Sequence, residues 1–167
     1  MATKIFTTAF LEELRMETPS TRKCLERIPL PDIFKFKPHE TSMEMGYLTL
    51  LVAEIPMWIA YMIEDSEIDF VTYPHAKIET SAQLMAHFEE NIKRAEAALQ
   101  NATDETLEEM FTLKANGEVM YTSPKKVDIP TTLNHWVHHR GQLTVYMRMN
   151  GIKIPSIYGP SADDKSF

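Results

Sequence analysis

The chain has 167 residues, 44% of them hydrophobic and 25% charged, which suits one soluble domain with a sizeable hydrophobic core. The formal net charge of −7 and the scattering of the 17 Lys and Arg argue against a general nucleic-acid binder, because no basic field would attract phosphates.

The first helical pattern runs from about Thr7 to Arg27, with Phe10, Leu11, Leu14, Cys24 and Leu25 on its apolar side. Pro19 falls inside it and predicts a kink or break, with Thr18 or Ser20 recapping. Cys24 is the lone cysteine, so no intramolecular disulfide forms, and its setting reads as a structural thiol in a reducing compartment. The apolar opening is broken by Glu12 and Glu13 and does not have the form of a secretory signal, so a cytoplasmic location is expected.

Ile28 to Glu40 carries three prolines and predicts an extended loop. A second helix is expected from about Met43 to Asp65, with Thr41 or Ser42 as its N-cap and a bend at Pro56. Its stretch from Tyr47 to Ile63 approaches the length of a membrane span but holds Glu54 and Pro56, so it reads as a buried helix and no membrane partner is expected. Asp65 to Glu79 is polar and irregular, with a turn at Tyr73-Pro74-His75.

The third helix is expected from Ser81 to Asn101, with Leu84, Phe88, Ile92, Ala95 and Leu99 as its buried stripe. One or two helical turns follow from Asp104 to Met110. Phe111 to Thr122 then alternates around Asn116-Gly117 and predicts a hairpin. The fourth helix is placed from about Ile129-Pro130 to Asn150, with Pro130 in its first turn and Gly151 as its stop. The tail from Ile152 has no period, but Tyr158-Gly-Pro supplies a turn with an aromatic anchor. The sum is an all-α four-helix bundle with a small β-hairpin between helices three and four, in a single domain spanning 1–167.

The chemistry-bearing stretch is His135-Trp-Val-His-His-Arg-Gly-Gln-Leu143, which holds three of the six histidines. His135 and His139 are four apart and lie one above the other on a helix face, a spacing at which two imidazoles can grip one transition-metal ion. His138 sits ~60° around from His135 and does not join them. The alternative is a pair of histidines hydrogen-bonded at a polar crevice. Gln142, Tyr146 and Arg140 follow on the same helix and are placed near the same crevice, Arg140 more as a structural ion pair than as an anion receptor. His39 and His87 read as surface or loop positions.

Leu133-Asn-His-Trp-Val-His-His-Arg-Gly-Gln-Leu-Thr-Val-Tyr-Met-Arg and Pro155-Ser-Ile-Tyr-Gly-Pro-Ser-Ala-Asp163 resemble the closing signature of the DinB family. Lys37-Pro-His-Glu-Thr-Ser-Met and Met45-Gly-Tyr-Leu-Thr-Leu-Leu-Val-Ala-Glu-Ile-Pro-Met-Trp58 resemble the start of that family's second helix. The resemblance implies a DinB/YfiT-like bundle, usually dimeric, with a divalent metal held by one histidine on helix two and two on helix four. The latter two fall on His135 and His139. The helix-two position falls on Leu51, which cannot coordinate a metal. Glu54, one turn further on, is the candidate substitute ligand; otherwise it reads as a buried carboxylate paired with Arg140 or a helix-four histidine.

The expected function is therefore a small-molecule-binding or non-catalytic bundle with a degenerate metal site. In it, His135, His139 and Glu54 act as hydrogen-bonding groups, and zinc or nickel binds weakly or not at all. The alternative implied by the resemblance is a divalent-metal-dependent hydrolase or thiol S-transferase, with Glu54 or water completing the site. A homodimer is expected from the resemblance and from Met43, Met45, Met57 and Trp58, residue types common at interfaces and in cores alike.

Overall fold

The computed structural model describes residues 3–166. Its elements are α1 (Ile5–Leu25), α2 (Met45–Glu64), β1 (Glu67–Asp69), α3 (Ser81–Asn101), α4 (Asp104–Glu108), β2 (Met110–Ala115), β3 (Glu118–Pro124) and α5 (Lys125–Met149). The four long helices form the expected bundle. α2 packs on α3 and α5, and α1 packs on the same two, so α1 and α2 lie diagonally across the core.

α1 buries Thr7, Phe10, Leu14, Thr18, Thr21 and Leu25, a run at spacings of three and four. Its first N–H groups, on Ile5, Phe6 and Thr7, donate to the Asp104 carboxylate at 2.8, 3.1 and 3.3 Å. That anchors α4 on the positive end of the helix dipole. Of the kink or break expected at Pro19, the break does not occur: α1 runs on through it. Packing of the apolar stripe on either side keeps the helix whole, and the Thr18 hydroxyl donates to the Leu14 carbonyl instead of recapping. Cys24 is wholly buried, and burial pushes its thiol up to about 11, as suits a structural thiol.

α2 starts at Met45 rather than Met43, and neither Thr41 nor Ser42 caps it. The proline-rich loop supplies the acceptors: Met45 N–H donates to the Phe36 carbonyl at 2.8 Å, and Gly46 N–H to Phe34 at 2.9 Å. A Cβ on Gly46 would meet the Phe34 ring at 2.7 Å, so only glycine lets the loop sit this close. Pro56 lies inside α2 and has no N–H to give the Val52 carbonyl. The Trp136 indole N–H fills that vacancy at 2.8 Å, and the Asn91 amide donates to the next carbonyl, Ala53, at 2.9 Å. The proline thereby frees one acceptor, Val52, which ties α2 to α5, while Ala53 ties α2 to α3. α2 is the one helix among the described residues long and apolar enough to cross a membrane, and 67% of its apolar window is buried inside the bundle.

α5 begins at Lys125, four residues before the predicted start, and Pro130 lies within it rather than in its first turn. Pro124 is the residue before the helix and already has the fixed φ that suits such a start. The end behaves as expected. Gly151 has φ 69°, its N–H donates to the Arg148 carbonyl, and the Ile152 N–H donates to Met147, which together form a Schellman stop. The tail is then held by Arg148 on Asp163 and by Arg140 on Tyr158, at 2.6 and 2.9 Å.

The hairpin turns through Asn116 (φ 50°) and Gly117 (φ 82°), the signature of a two-residue primed turn. It is part of a three-stranded sheet, because β1 pairs parallel to β2 from within the segment read as irregular. Three residues are too few for alternation to show in the sequence. Asp69 locks this addition in place by accepting the Asn116 and Gly117 N–H groups at 3.1 and 2.6 Å. Those bonds, that from Gly117 first, hold its carboxyl below the ordinary range. The sheet caps one flank of the α2–α5 pair.

The methionines and tryptophan that suggested an interface are mostly engaged inside the chain. Met45 is wholly buried, and Met43 and Trp58 line an internal cavity.

Candidate functional site

The cavity lies between α2, α5 and the sheet and measures about 390 Å³. α5 contributes Asp128, Thr131, Thr132 and His135, a stripe at spacings of three and four. α2 contributes Tyr47, Leu51, Trp58 and Met62. The sheet closes it with Ile68, Phe111, Leu113 and Tyr121, and the loop after β1 adds Tyr73 and His75. Leu51 and His135 both line this cavity.

His135 and His139 come together as the spacing predicts. Their Nε2 atoms are 2.6 Å apart, and Gln142 Oε1 lies 2.7 Å from His139 Nδ1. Gln142 Oε1 can only accept, so His139 carries its proton on Nδ1 and offers a lone pair on Nε2. His135 then donates from its own Nε2. Burial, then the neighbouring rings of His139 and His138, pushes His135 down to about 4, and burial likewise lowers His139. Both rings are neutral at pH 7. His138 is exposed, its ring centroid 5.1 Å from that of His139, and it takes no part in the pair.

Glu54 is elsewhere. It is buried at 1% exposure, with Oε2 2.6 Å from His75 Nδ1 and Oε1 accepting the Ala76 N–H at 2.9 Å. His87 Nε2 is 3.3 Å from Oε1. The expected partners, Arg140 and the helix-four histidines, are not the ones it has: the loop after β1 folds over α2 and delivers His75 and Ala76 first. Arg140 instead pairs with Glu17 at 2.6 Å and anchors Tyr158, the structural role expected of it. His87 faces Glu54 rather than solvent, while His39 stays in its loop against Thr41. Tyr146 donates its hydroxyl to the Met43 carbonyl.

His75 is the group that the sequence did not single out. Its Nδ1–H is held by a buried carboxylate, and its ring stands edge-on to Tyr47 and Tyr73 at centroid distances of 5.4 and 5.2 Å. The carboxylate fixes the orientation of the ring through Nδ1, and the ring lines the cavity. The only sequence signal was a histidine beside a proline in a short polar segment, which reads as a turn. Asp128 was missed because it fell in the stretch assigned to the loop before the last helix.

The DinB family model matches residues 1–166. The chain belongs to the DinB family. It is 35% identical over 89 residues to the uncharacterised protein YrdA of Bacillus subtilis (strain 168). That match covers 52% of this chain and about half, 50%, of the relative. The fold is similar to that of a DinB-like protein from Bacillus subtilis, with TM-score 0.69, 20% identity, and coverage of 94% of this chain and 99% of that one. It is similar again to a DinB-like protein from Bacillus cereus ATCC 10987, with TM-score 0.68, 24% identity, and coverage of 95% and 100%. At these identities the two structures speak for the fold.

In this DinB protein the helix-two ligand position that the resemblance implies is occupied by Leu51. The helix-five pair supplies two nitrogens, the third corner is the Leu51 hydrocarbon, and Glu54 has both oxygens engaged by His75, Ala76 and His87. Among the described residues no group of three or more His, Cys, Asp or Glu side chains has the arrangement of a metal site.

Proposed function

We propose that this DinB protein binds a small, largely apolar molecule in the cavity between α2, α5 and the sheet, with the imidazoles of His75 and His135 as its polar contacts. The observation that carries this reading is the cavity itself: about 390 Å³, walled by hydrocarbon and aromatic rings, with a few convergent polar atoms. Leu51 supports it by making apolar the corner where a ligand nitrogen would sit. Neopentylbenzene is a suitable neutral probe. Titrating it while following the methyl NMR signals of Met43, Met62 and Leu51 should give saturable shifts, and Leu51→Trp, which fills the cavity, should abolish them. Absence of any shift in the wild-type protein at saturating probe overturns the reading.

A second reading, a divalent-metal-dependent hydrolase or thiol S-transferase, draws on the facing Nε2 atoms of His135 and His139. It requires a third ligand. Metal analysis of protein purified without a histidine tag separates the two: about one tightly held zinc or nickel per chain favours the metalloenzyme. We place the protein in the cytoplasm, consistent with its lone buried thiol, and as a homodimer on the strength of the family resemblance.

A further inference from the structure

We infer that the ligand of this cavity is a cation, a small molecule with an aryl or alkyl body and an ammonium head, recognised by Asp128 together with the aromatic walls. The inference rests on the small-molecule reading above and names the ligand's charge.

Six aromatic residues, Tyr47, Trp58, Phe70, Tyr73, Phe111 and Tyr121, contribute to the lining. Trp58 and Tyr73 stand at 75° with centroids 6.0 Å apart, and the His75 ring stands at 78° to Tyr47 and 64° to Tyr73, so these rings meet edge to face rather than stacking shut. Ring faces carry the negative lobe of the π quadrupole, and enclosures of this kind suit ammonium groups.

The charges point the same way. Among the described residues no Lys or Arg lines the cavity and the one lining carboxylate is Asp128; the other titratable side chains there besides the tyrosines are His75 and His135. Asp128 is 5% exposed and accepts from the hydroxyls of Tyr121, at 3.1 Å, and Ser123. Both donors are neutral, and no Lys, Arg or His among the described residues lies within 4 Å to pair with it, as none of the ion pairs includes it. Hydroxyl donors and the start of α5 bring partial dipoles to this carboxylate but no full positive charge. A second carboxylate, Glu54, stands behind the lining residue His75. The Tyr73 hydroxyl registers that field: burial first, then the charge on Glu54, raises its pKa. An anion would approach the Asp128 carboxylate with no Lys or Arg of the described lining to pair with it.

The rim allows access. Tyr47, Phe70 and Tyr121 all line the cavity and remain 46%, 51% and 44% exposed. Tyr121 also donates to Asp128, so the carboxylate lies just under the rim, where an ammonium head could keep part of its hydration while the apolar body goes in.

The test compares three probes of one shape on the full chain by NMR titration: benzyltrimethylammonium, its neutral isostere neopentylbenzene, and phenylmethanesulfonate. An unassisted ion would be excluded from an apolar cavity, so binding of the cation at least as tight as that of the neutral isostere supports the inference, as does failure of the sulfonate to bind. Asp128→Asn should weaken the cation about 10-fold or more and leave the neutral probe within about twofold. If Asp128→Asn does not fold, Trp58→Leu, which removes a ring face and keeps an apolar side chain, should weaken the cation more than the neutral probe. A cation bound tenfold more weakly than neopentylbenzene, or unaffected by the substitution made, overturns the inference while leaving the cavity reading standing. Binding of neither probe overturns both.

Discussion

Leu51→His is the most discriminating change, because one side chain decides whether the helix-five histidines have a third partner. Leu51 is 6% exposed on the cavity wall, so placing an imidazole there without metal should cost about 1–3 kcal/mol. For a chain of this length that lowers Tm by roughly 2–4 °C per kcal/mol. The existing pair needs little rearrangement. Two nitrogens sharing a tetrahedral zinc at ~2.0–2.1 Å stand roughly 3.3 Å apart, so the present 2.6 Å between Nε2 atoms must open by about 0.7 Å. His139 already presents its lone pair because Gln142 takes the Nδ1 proton, and His135 needs only to move its proton from Nε2 to Nδ1. Neither ring competes by protonation at pH 7. Zinc at about 100 times its Kd should then return about 2.7 kcal/mol, roughly cancelling the apo penalty. Thermal melts with zinc and with chelator, backed by calorimetric titration, read both halves. The variant should melt below wild type in chelator and gain several degrees in zinc, wild type should gain little, and adding His139→Ala should remove the gain. A wild-type protein that binds one zinc as tightly as the variant refutes the two-ligand reasoning and makes Glu54 the first residue to test. A variant that gains nothing refutes the placement of Leu51 beside the pair.

Trp136→Phe should destabilise by about 1–3 kcal/mol because it leaves the Val52 carbonyl without a donor; Pro56→Ala restores a backbone N–H to that carbonyl, so the double variant should lose measurably less than the sum in urea unfolding. Stability should fall with acid through the histidine pair: His135 titrates near 6.5 unfolded and is held down to about 4 when folded, so its contribution is present above about 6.5 and is lost as pH drops toward about 4. Urea midpoints at pH 7.5 and 4.5 should show a smaller acid loss in His135→Asn than in wild type. Light scattering at micromolar concentration should give twice the chain mass of 19.3 kDa, and a monomer mass counts against the dimer.

The bundle was legible because its signals are local and periodic. Leu84, Phe88, Ile92, Ala95 and Leu99 repeat at helical spacing, and Thr80 and Gln83 close a reciprocal capping box just ahead of them. Asn116-Gly117 named its own turn. The misses are places where tertiary contacts outvote a local rule. The N-cap of α2 is two backbone carbonyls from a loop ten residues upstream, which no side-chain motif announces. Pro19 and Pro130 sit inside helices because packing on both sides holds the chain helical, and β1 exists only because β2 is there to receive it. The i, i+4 histidine pair was legible for the same reason the helices were.

The rest of the site was not, because its chemistry is assembled across long sequence separations. Glu54 and His75 are 21 residues apart, and nothing in either neighbourhood marks the other. Once they meet, the site divides into two imidazole groups with different constraints. On α5, His135 and His139 bond each other, and only Gln142 fixes which proton goes where. In the loop after β1, His75 is fixed by a carboxylate that is itself pinned by the Ala76 N–H, so its ring has one orientation. A metal centre would need those nitrogens to converge on one point, whereas here Leu51 and the aromatic rings share the cavity wall with them. Donors spread around an apolar space are suited to holding the polar atoms of a molecule at several places at once, and that is the arrangement on which the ligand-binding proposal rests.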